Sequence, residues 1–444
     1  MIKKLNEPAF DADLTRSRDA IPIPVPGHCR RSRAVAVVRT DPAGDPGADH
    51  RVTDLEPAAR DRDLILRAVH RAVAFYYTFM ASVKLRWVPL GEILWRAIPE
   101  PLRDGRLLLA LDDAINPKTG RKVFACQDTF DHAAKTNQSP FPWAQTIVTV
   151  GLLKITHGRW SCLPLAVDFY MHMKMLRSGC LRVRSQALVF RTNFAQAVRL
   201  MERLAGVFVA VPILVVTDSW FGNQGLLKPL RAALGPRVQL LTRLRVNTVL
   251  HALPSTAPGR PGRPRKYGPR LGNAADLAAT LQAEVCAYTL PLYGRVRAVM
   301  AVERLIMLRT LRCQVRVVWV FRKTQWVALV TTDLRLTVEQ LIEYYGERWK
   351  IEAGFREIKQ EIGSAETQTR HPDAVTNHLY FCMAATAIAW IYGAHSAAAP
   401  PRRTPRPSAL NTPSPTCAAH SPRTSVARVS VSIALNPPTA HEIR

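Results

Sequence analysis

A chain of 444 residues with 48% hydrophobic content is long enough for two or three domains, or for one large domain with an insertion. Lys and Arg outnumber Asp and Glu by 61 to 34, a formal charge of +27, which favours a polyanionic partner, most simply nucleic acid; no cationic amphipathic helix argues for a membrane surface instead. Eight cysteines without a CxxC pair or a His/Cys cluster at zinc spacing exclude a disulfide frame and a structural zinc site.

The N-terminal MIKKLNEPAFDADL lacks the apolar stretch of a signal peptide. The most apolar run, Val207 to Val216, is about half the length of a membrane helix. A soluble chain in the cytoplasm is expected, with no membrane partner.

Residues 1–62 carry Pro22, Pro24, Pro26, Pro42 and Pro46 among charges of both signs, and the expectation is a poorly ordered segment. From 63 to 103, Leu66, Val69, Val73, Tyr76, Met80 and Val83 recur at three- and four-residue steps, which predicts helix, with Pro89 and Pro99 punctuating its end. Residues 104–392 read as one α/β domain. Leu107 to Leu111 is a strand buried on both faces that runs straight into Asp112 and Asp113. After the turn KTGRKV and a second extended piece, strands are expected at Thr146–Ile155 and Ser161–Val167, then an amphipathic helix over 185–204. Ile213 to Thr217 is a β-branched strand ending at Asp218, and Val238 to Val246 is the next.

Composition then changes. The loop from Ala257 to Asn273 is basic, and β-rich stretches follow at 294–303, 313–322 and 326–332, so an insertion subdomain is expected at about 248–333. Residues 376–392 form an apolar helix. From Gly393 to Arg444 nine prolines fall in 52 residues without one aromatic, a composition that cannot offset the entropy of folding, so a disordered tail is expected.

The stretch YGERWKIEAGFREIK, 345–359, has no Pro and reads as helix. Steps of three, four and seven return to one helical face, so Tyr345, Arg348, Glu352 and Lys359 project together, with Trp349, Ile351, Phe355 and Ile358 on the packing stripe. A carboxylate between two cations and a phenol suits an anion that brings its own metal. An exposed helix with i,i+4 charge pairs is the bland alternative.

Tyr-x2-Arg-x3-Glu-x6-Lys, met by Tyr345, Arg348, Glu352 and Lys359, resembles the signature of bacterial insertion-sequence transposases with an Asp-Asp-Glu triad. LALDDAINPKTGRKVF, DHAAKTNQSPFPWAQ and VTDSWFGN resemble further blocks of that family, over roughly 65–390. The resemblance implies an RNase H-like catalytic core interrupted by the β-rich insertion, with a triad of Asp112, Asp218 and Glu352 holding two Mg²⁺ ions, for which Mn²⁺ can substitute. The family places its first Asp two residues before Thr or Ser; here that position is Ala114, and Asp113 stays an alternative to Asp112.

It also implies phosphate contacts by Tyr345, Arg348 and Lys359. Trp220 reads either as a platform for a flipped base or as an apolar anchor. In GRPGRPRKYG, Arg260, Arg263, Arg265 and Lys266 read as DNA-contacting, by non-specific phosphate contact or as minor-groove hooks. His132, beside Asp131, reads as structural. The expected function is binding of the terminal repeats of a mobile element in double-stranded DNA, metal-dependent end cleavage and strand transfer, by a homodimer in a bacterial, nucleoid-associated setting. Atypical termini leave a second expectation, a truncated or frameshifted remnant that binds DNA without cutting it.

Overall fold

The computed structural model describes residue 71 and residues 74–131, 134, 136–177, 181–254, 265–322 and 325–396. Contacts divide the chain into Met1–Ile65 and Leu66–Arg444. The expectations for residues 1–62 and for 397–444 lie outside the described residues, as do those for Leu66, Val69, Val73, His132, Arg260 and Arg263.

Among the described residues, twelve strands form one sheet. In chain order the elements are helix α1 (Trp87–Arg96), strands β1 (Leu107–Pro117), β2 (Cys126–Asp128), β3 (Trp143–Thr156) and β4 (Arg159–Tyr170), helix α2 (Asn193–Val207), strand β5 (Ile213–Thr217), helix α3 (Gln224–Leu234) and strand β6 (Val238–Arg243). Then follow β7 (Val249–His251), β8 (Arg270–Asn273), α4 (Ala274–Leu281), β9 (Cys286–Leu292), β10 (Arg295–Leu308), β11 (Cys313–Phe321), β12 (Trp326–Thr331), and helices α5 (Val338–Gly346), α6 (Lys350–Arg356) and α7 (Pro372–His395). Strand order across the sheet is β8-β7-β10-β11-β12-β6-β5-β1-β3-β2, with β4 on β3 and β9 on β10. At its centre β5 runs parallel to both β1 and β6, while β3 is antiparallel to β1.

Alternation along the central strands builds two cores. Leu107, Leu109, Leu111, Ile213 and Val215 face one side, with α2 and α3 packed over them. Leu108, Ala110, Leu214 and Val216 face the other, under Leu336, Leu341, Tyr344 and Ile351 of the α5–α6 region. Thr192 caps α2 by accepting from the Ala195 N–H, and Thr337 with Gln340 forms a capping box that starts α5.

Several expected boundaries move. Strand β1 does not stop at Leu111 but continues through both aspartates to Pro117, because β3 pairs with it along that whole length. The helix expected at 185–204 begins only at Asn193, after a short two-stranded pair at 182–183 and 186–187. Pro89 does not end a helix; it sits in the first turn of α1, where a missing N–H costs nothing. The strands of the β-rich block expected at about 248–333 join the same sheet through β12 on β6.

Helix α7 is longer than expected and is long and apolar enough to cross a membrane by composition. Here it is mostly buried: Trp390 donates to Glu357 at 3.0 Å, and the Asn377 amide donates to the Met80 and Ser82 carbonyls at 2.6 and 2.9 Å while accepting from Trp87 at 2.8 Å.

Candidate active site

The parallel ladder of β1 and β5 ends at Leu111 opposite Thr217. One step further come Asp112 and Asp218, on strands about 4.8 Å apart. In a parallel pair, opposed residues share a face, and Leu108 with Leu214 and Ala110 with Val216 lie on the α5–α6 side. Asp112 therefore faces α5–α6, and Asp113 faces α2. The hydrogen bonds agree: Arg348 donates to Asp112 at 2.8 Å, whereas Asn193 at the start of α2 donates to Asp113 at 3.0 Å.

Asp218 is held by its turn. Its Oδ1 accepts from the N–H groups of Trp220 and Phe221 at 3.0 and 3.1 Å, and its carbonyl accepts from Thr242 at 2.6 Å. Gly222 makes this possible, since a Cβ there would lie 2.4 Å from the Thr242 hydroxyl oxygen.

The expected single helix over 345–359 is broken into pieces. Helix α5 ends at Gly346, a 3-10 turn covers Glu347–Trp349, α6 covers Lys350–Arg356, and a π-helix covers Glu357–Glu361. Two of the four signature residues, Arg348 and Lys359, nevertheless bond to β1. Arg348 lies 3.4 Å from Glu352 and 6.0 Å above the Tyr345 ring, and Lys359 donates to the Ile115 carbonyl at 2.7 Å. Tyr345, Arg348 and Lys359 are half-buried and turned toward the sheet. On the expected packing stripe Ile351 and Ile358 are buried and Phe355 is half-buried, but Trp349 is exposed, because the 3-10 turn rotates it out of register.

Burial pushes the Asp112 carboxyl up to about 7; Arg348 pulls against it, and Asp218, Asp113 and Glu352 add to it. Burial raises the Tyr345 phenol, opposed by Arg348 and Arg243, and lowers the Lys359 ammonium, opposed by Asp131.

Three mutually repelling carboxylates are the hard-oxygen donor set that suits Mg²⁺ or Mn²⁺. The residues fit such an ion in kind, yet the cation that meets Asp112 and Glu352 here is the Arg348 guanidinium. Among the described residues, no group of three or more His, Cys, Asp or Glu side chains stands close enough to hold a metal ion.

Trp220 is 53% exposed and stacks on Phe194, ring centroids 6.4 Å apart. Arg265 and Lys266 are exposed beside β8, at the far edge of the sheet and several strands from Asp218. Sequence reasoning missed Arg243, which the β5–β6 register sets beside Asp218, and also Thr242 and Asn193. An apolar strand closing on Thr-Arg, parallel to one closing on Thr-Asp, was the available signal.

An α/β protein with two aspartates just past a parallel strand ladder, one of them linked through Arg348 to a glutamate of a helical segment, has the build of a polynucleotide-cutting enzyme. The family model of the DDE superfamily endonuclease matches residues 62–301, more than half of the chain, and the chain belongs to that family. The matched stretch includes Asp112 and Asp218 and ends before Glu352. No curated protein matches the chain.

Proposed function

We propose that the chain is a DNA transposase of an insertion sequence, with Asp112, Asp218 and Glu352 as its catalytic carboxylates. The observation that carries this reading is the β1–β5 register, which sets Asp112 beside Asp218 on the face where Arg348 ties Asp112 to Glu352. The strand order β4-β3-β1-β5-β6, two antiparallel pairings and then two parallel ones, supports an RNase H-like core, with β7–β12 as the inserted block.

When bound, two divalent ions held by these carboxylates would activate a water or a 3′-hydroxyl and stabilise the leaving oxygen. The chain's own residues prepare the place. Thr242 and the turn at 218–221 fix Asp218, burial keeps bulk water from Asp112, and Arg348 bridges Asp112 and Glu352 until a scissile phosphate draws its guanidinium away. Tyr345 and Lys359 flank that path, and Trp220 is exposed enough to stack on an unpaired base. Two element ends must be held together, so a homodimer on double-stranded DNA is the expected assembly.

The test is nicking of supercoiled plasmid carrying the element's terminal repeats, with Mg²⁺ or Mn²⁺, by the native chain and by Glu352→Gln. Cleavage at the repeat ends that vanishes in the variant supports the reading. Salt-sensitive DNA binding without cleavage by either protein would leave a DNA-binding remnant.

A further inference from the structure

The signature region touches more than the carboxylate edge. At its other end, the turn of the β9–β10 hairpin rests on it. Tyr293 and Gly294 both have positive φ, 55° and 77°, which makes the tight two-residue turn of a hairpin. Leu292 and the Tyr293 ring lie against Gly346, where a Cβ would meet the Leu292 side chain at 3.1 Å. The Tyr293 N–H donates to Glu347 at 3.4 Å. Glycine in the middle of YGERWK thus lets the hairpin seat on the helix that leads to Arg348 and Glu352.

Registers place this hairpin over the same edge as the carboxylates. Val216 pairs with Leu241 in the parallel β5–β6 ladder, Arg243 pairs with Leu329, Leu329 with Val318, and Val318 with Glu303. The level of Asp218 therefore continues across the sheet to about Glu303, and Arg297 and Arg295 lie six and eight residues beyond it toward the same edge. The lateral offset from β5 to β10 is four strand spacings, about 19 Å, and Arg297 stands roughly 20 Å further along the strand direction, so the separation matches about eight base pairs at roughly 3.4 Å each.

Alternation also sets the face. Leu290 and Leu292 are buried on the α5 side, and they pair with Arg297 and Arg295. Val318 and Val320 lie on that side too, so Arg322, two residues on, follows them. Arg295, Arg297 and Arg322 are all exposed, and the Arg297 guanidinium lies 5.7 Å over the Tyr293 ring. Three arginines thus share one face and one edge with Asp112 and Asp218, beyond the reach of the signature residues themselves.

We infer that Arg295, Arg297 and Arg322 form a second DNA-backbone surface, which carries the duplex flanking the cleaved phosphate. This rests on the transposase reading and adds to it where the flank runs. Guanidinium groups spaced along the start of β10 and onto the neighbouring end of β11 match successive phosphates, not one small anion. The contact is to the backbone, so it carries affinity without sequence preference.

The experiment compares the full chain with R295A/R297A/R322A and R295K/R297K/R322K, measuring anisotropy of a labelled duplex across a KCl series. Each lost phosphate contact lowers the slope of log affinity against log salt by about 0.9, so the alanine variant is expected to fall by about 2.7. The lysine variant keeps most of the slope, which separates lost charge from misfolding. An alanine variant with native slope overturns the surface alone. A native chain that binds no duplex overturns the transposase reading and this inference with it.

Discussion

Arg348 donates to Asp112 across 2.8 Å, and both side chains are almost removed from water. The same guanidinium lies 3.4 Å from Glu352. A cation of the chain's own thus stands where the catalytic reading wants a metal, and the contact has to open before an ion can take the carboxylates.

Arg348→Met is expected to leave Asp112 as a buried carboxylate without its partner. Removing one member of such a pair costs about 3 kcal/mol or more while the other stays charged. Asp112 protonates as pH falls, so the cost should be large at pH above about 7 and small in mild acid. Divalent metal should raise the melting temperature of this variant more than that of the native chain. Thermal melts with and without Mg²⁺ at two pH values check this; an equal metal effect in both proteins would count against competition between Arg348 and the ion.

Asp112 and Asp113 should separate cleanly. Asp112→Asn is expected to lower plasmid nicking by more than about a hundredfold, as loss of a metal-binding carboxylate does. Asp113→Asn faces Asn193 on the α2 side and should keep most of the activity. Nicking rates of the two single variants decide it, and the reverse ranking would move the first catalytic residue to Asp113.

Stability should fall as pH rises toward neutrality. Burial pushes Glu357 up to about 7, opposed by the bond from Trp390, and Asp112 lies near the same value. A carboxyl whose folded pKa is raised binds more protons in the native state, so its contribution is fully present below the ordinary carboxylate range. It is lost as pH climbs to about 7, by at most about 1.4 kcal/mol per pH unit for each group. Burial lowers His172 and His378, which act in the opposite sense below pH 6.5. The clean measurement is the difference between native chain and Glu357→Gln, which keeps an acceptor for Trp390 but cannot ionise. That difference should grow in favour of the variant from pH 5 to about 7.5; a flat difference would remove Glu357 from the account.

Trp220→Ala distinguishes a base platform from an apolar anchor. The ring is half in water and touches Phe194, so its loss should cost no more than about 1 kcal/mol of stability. If a flipped base stacks on it, binding of a repeat end with an unpaired terminal base should weaken by about 1–3 kcal/mol. Affinity for such an end, compared with a fully paired one, provides the check.

Much of the central architecture was legible along the chain. Ile213–Thr217 reads as a strand because five buried β-branched or apolar residues end at an aspartate, and its observed bounds are the same. Leu107–Leu111 gave the start of β1 but not its end, since the pairing with β3 that carries it to Pro117 is a long-range fact. The signature spacing assembled Tyr345, Arg348, Glu352 and Lys359 on one side, although a uniform helix was the wrong device. The 3-10 and π segments change the local pitch, and contacts with β1, α7 and the β9–β10 hairpin hold them.

What the sequence determined by itself is local: apolar runs that must be buried, aspartates at their ends, a cationic excess, and a spacing that puts four functional groups together. Which face each aspartate takes was open until alternation was combined with the position of α5–α6. Arg243 beside Asp218, Arg348 on Asp112, and the β9–β10 hairpin over the carboxylate edge came only from tertiary structure. Each depends on the register between strands far apart in the chain, and register is set by the packing of whole faces, which no short stretch encodes.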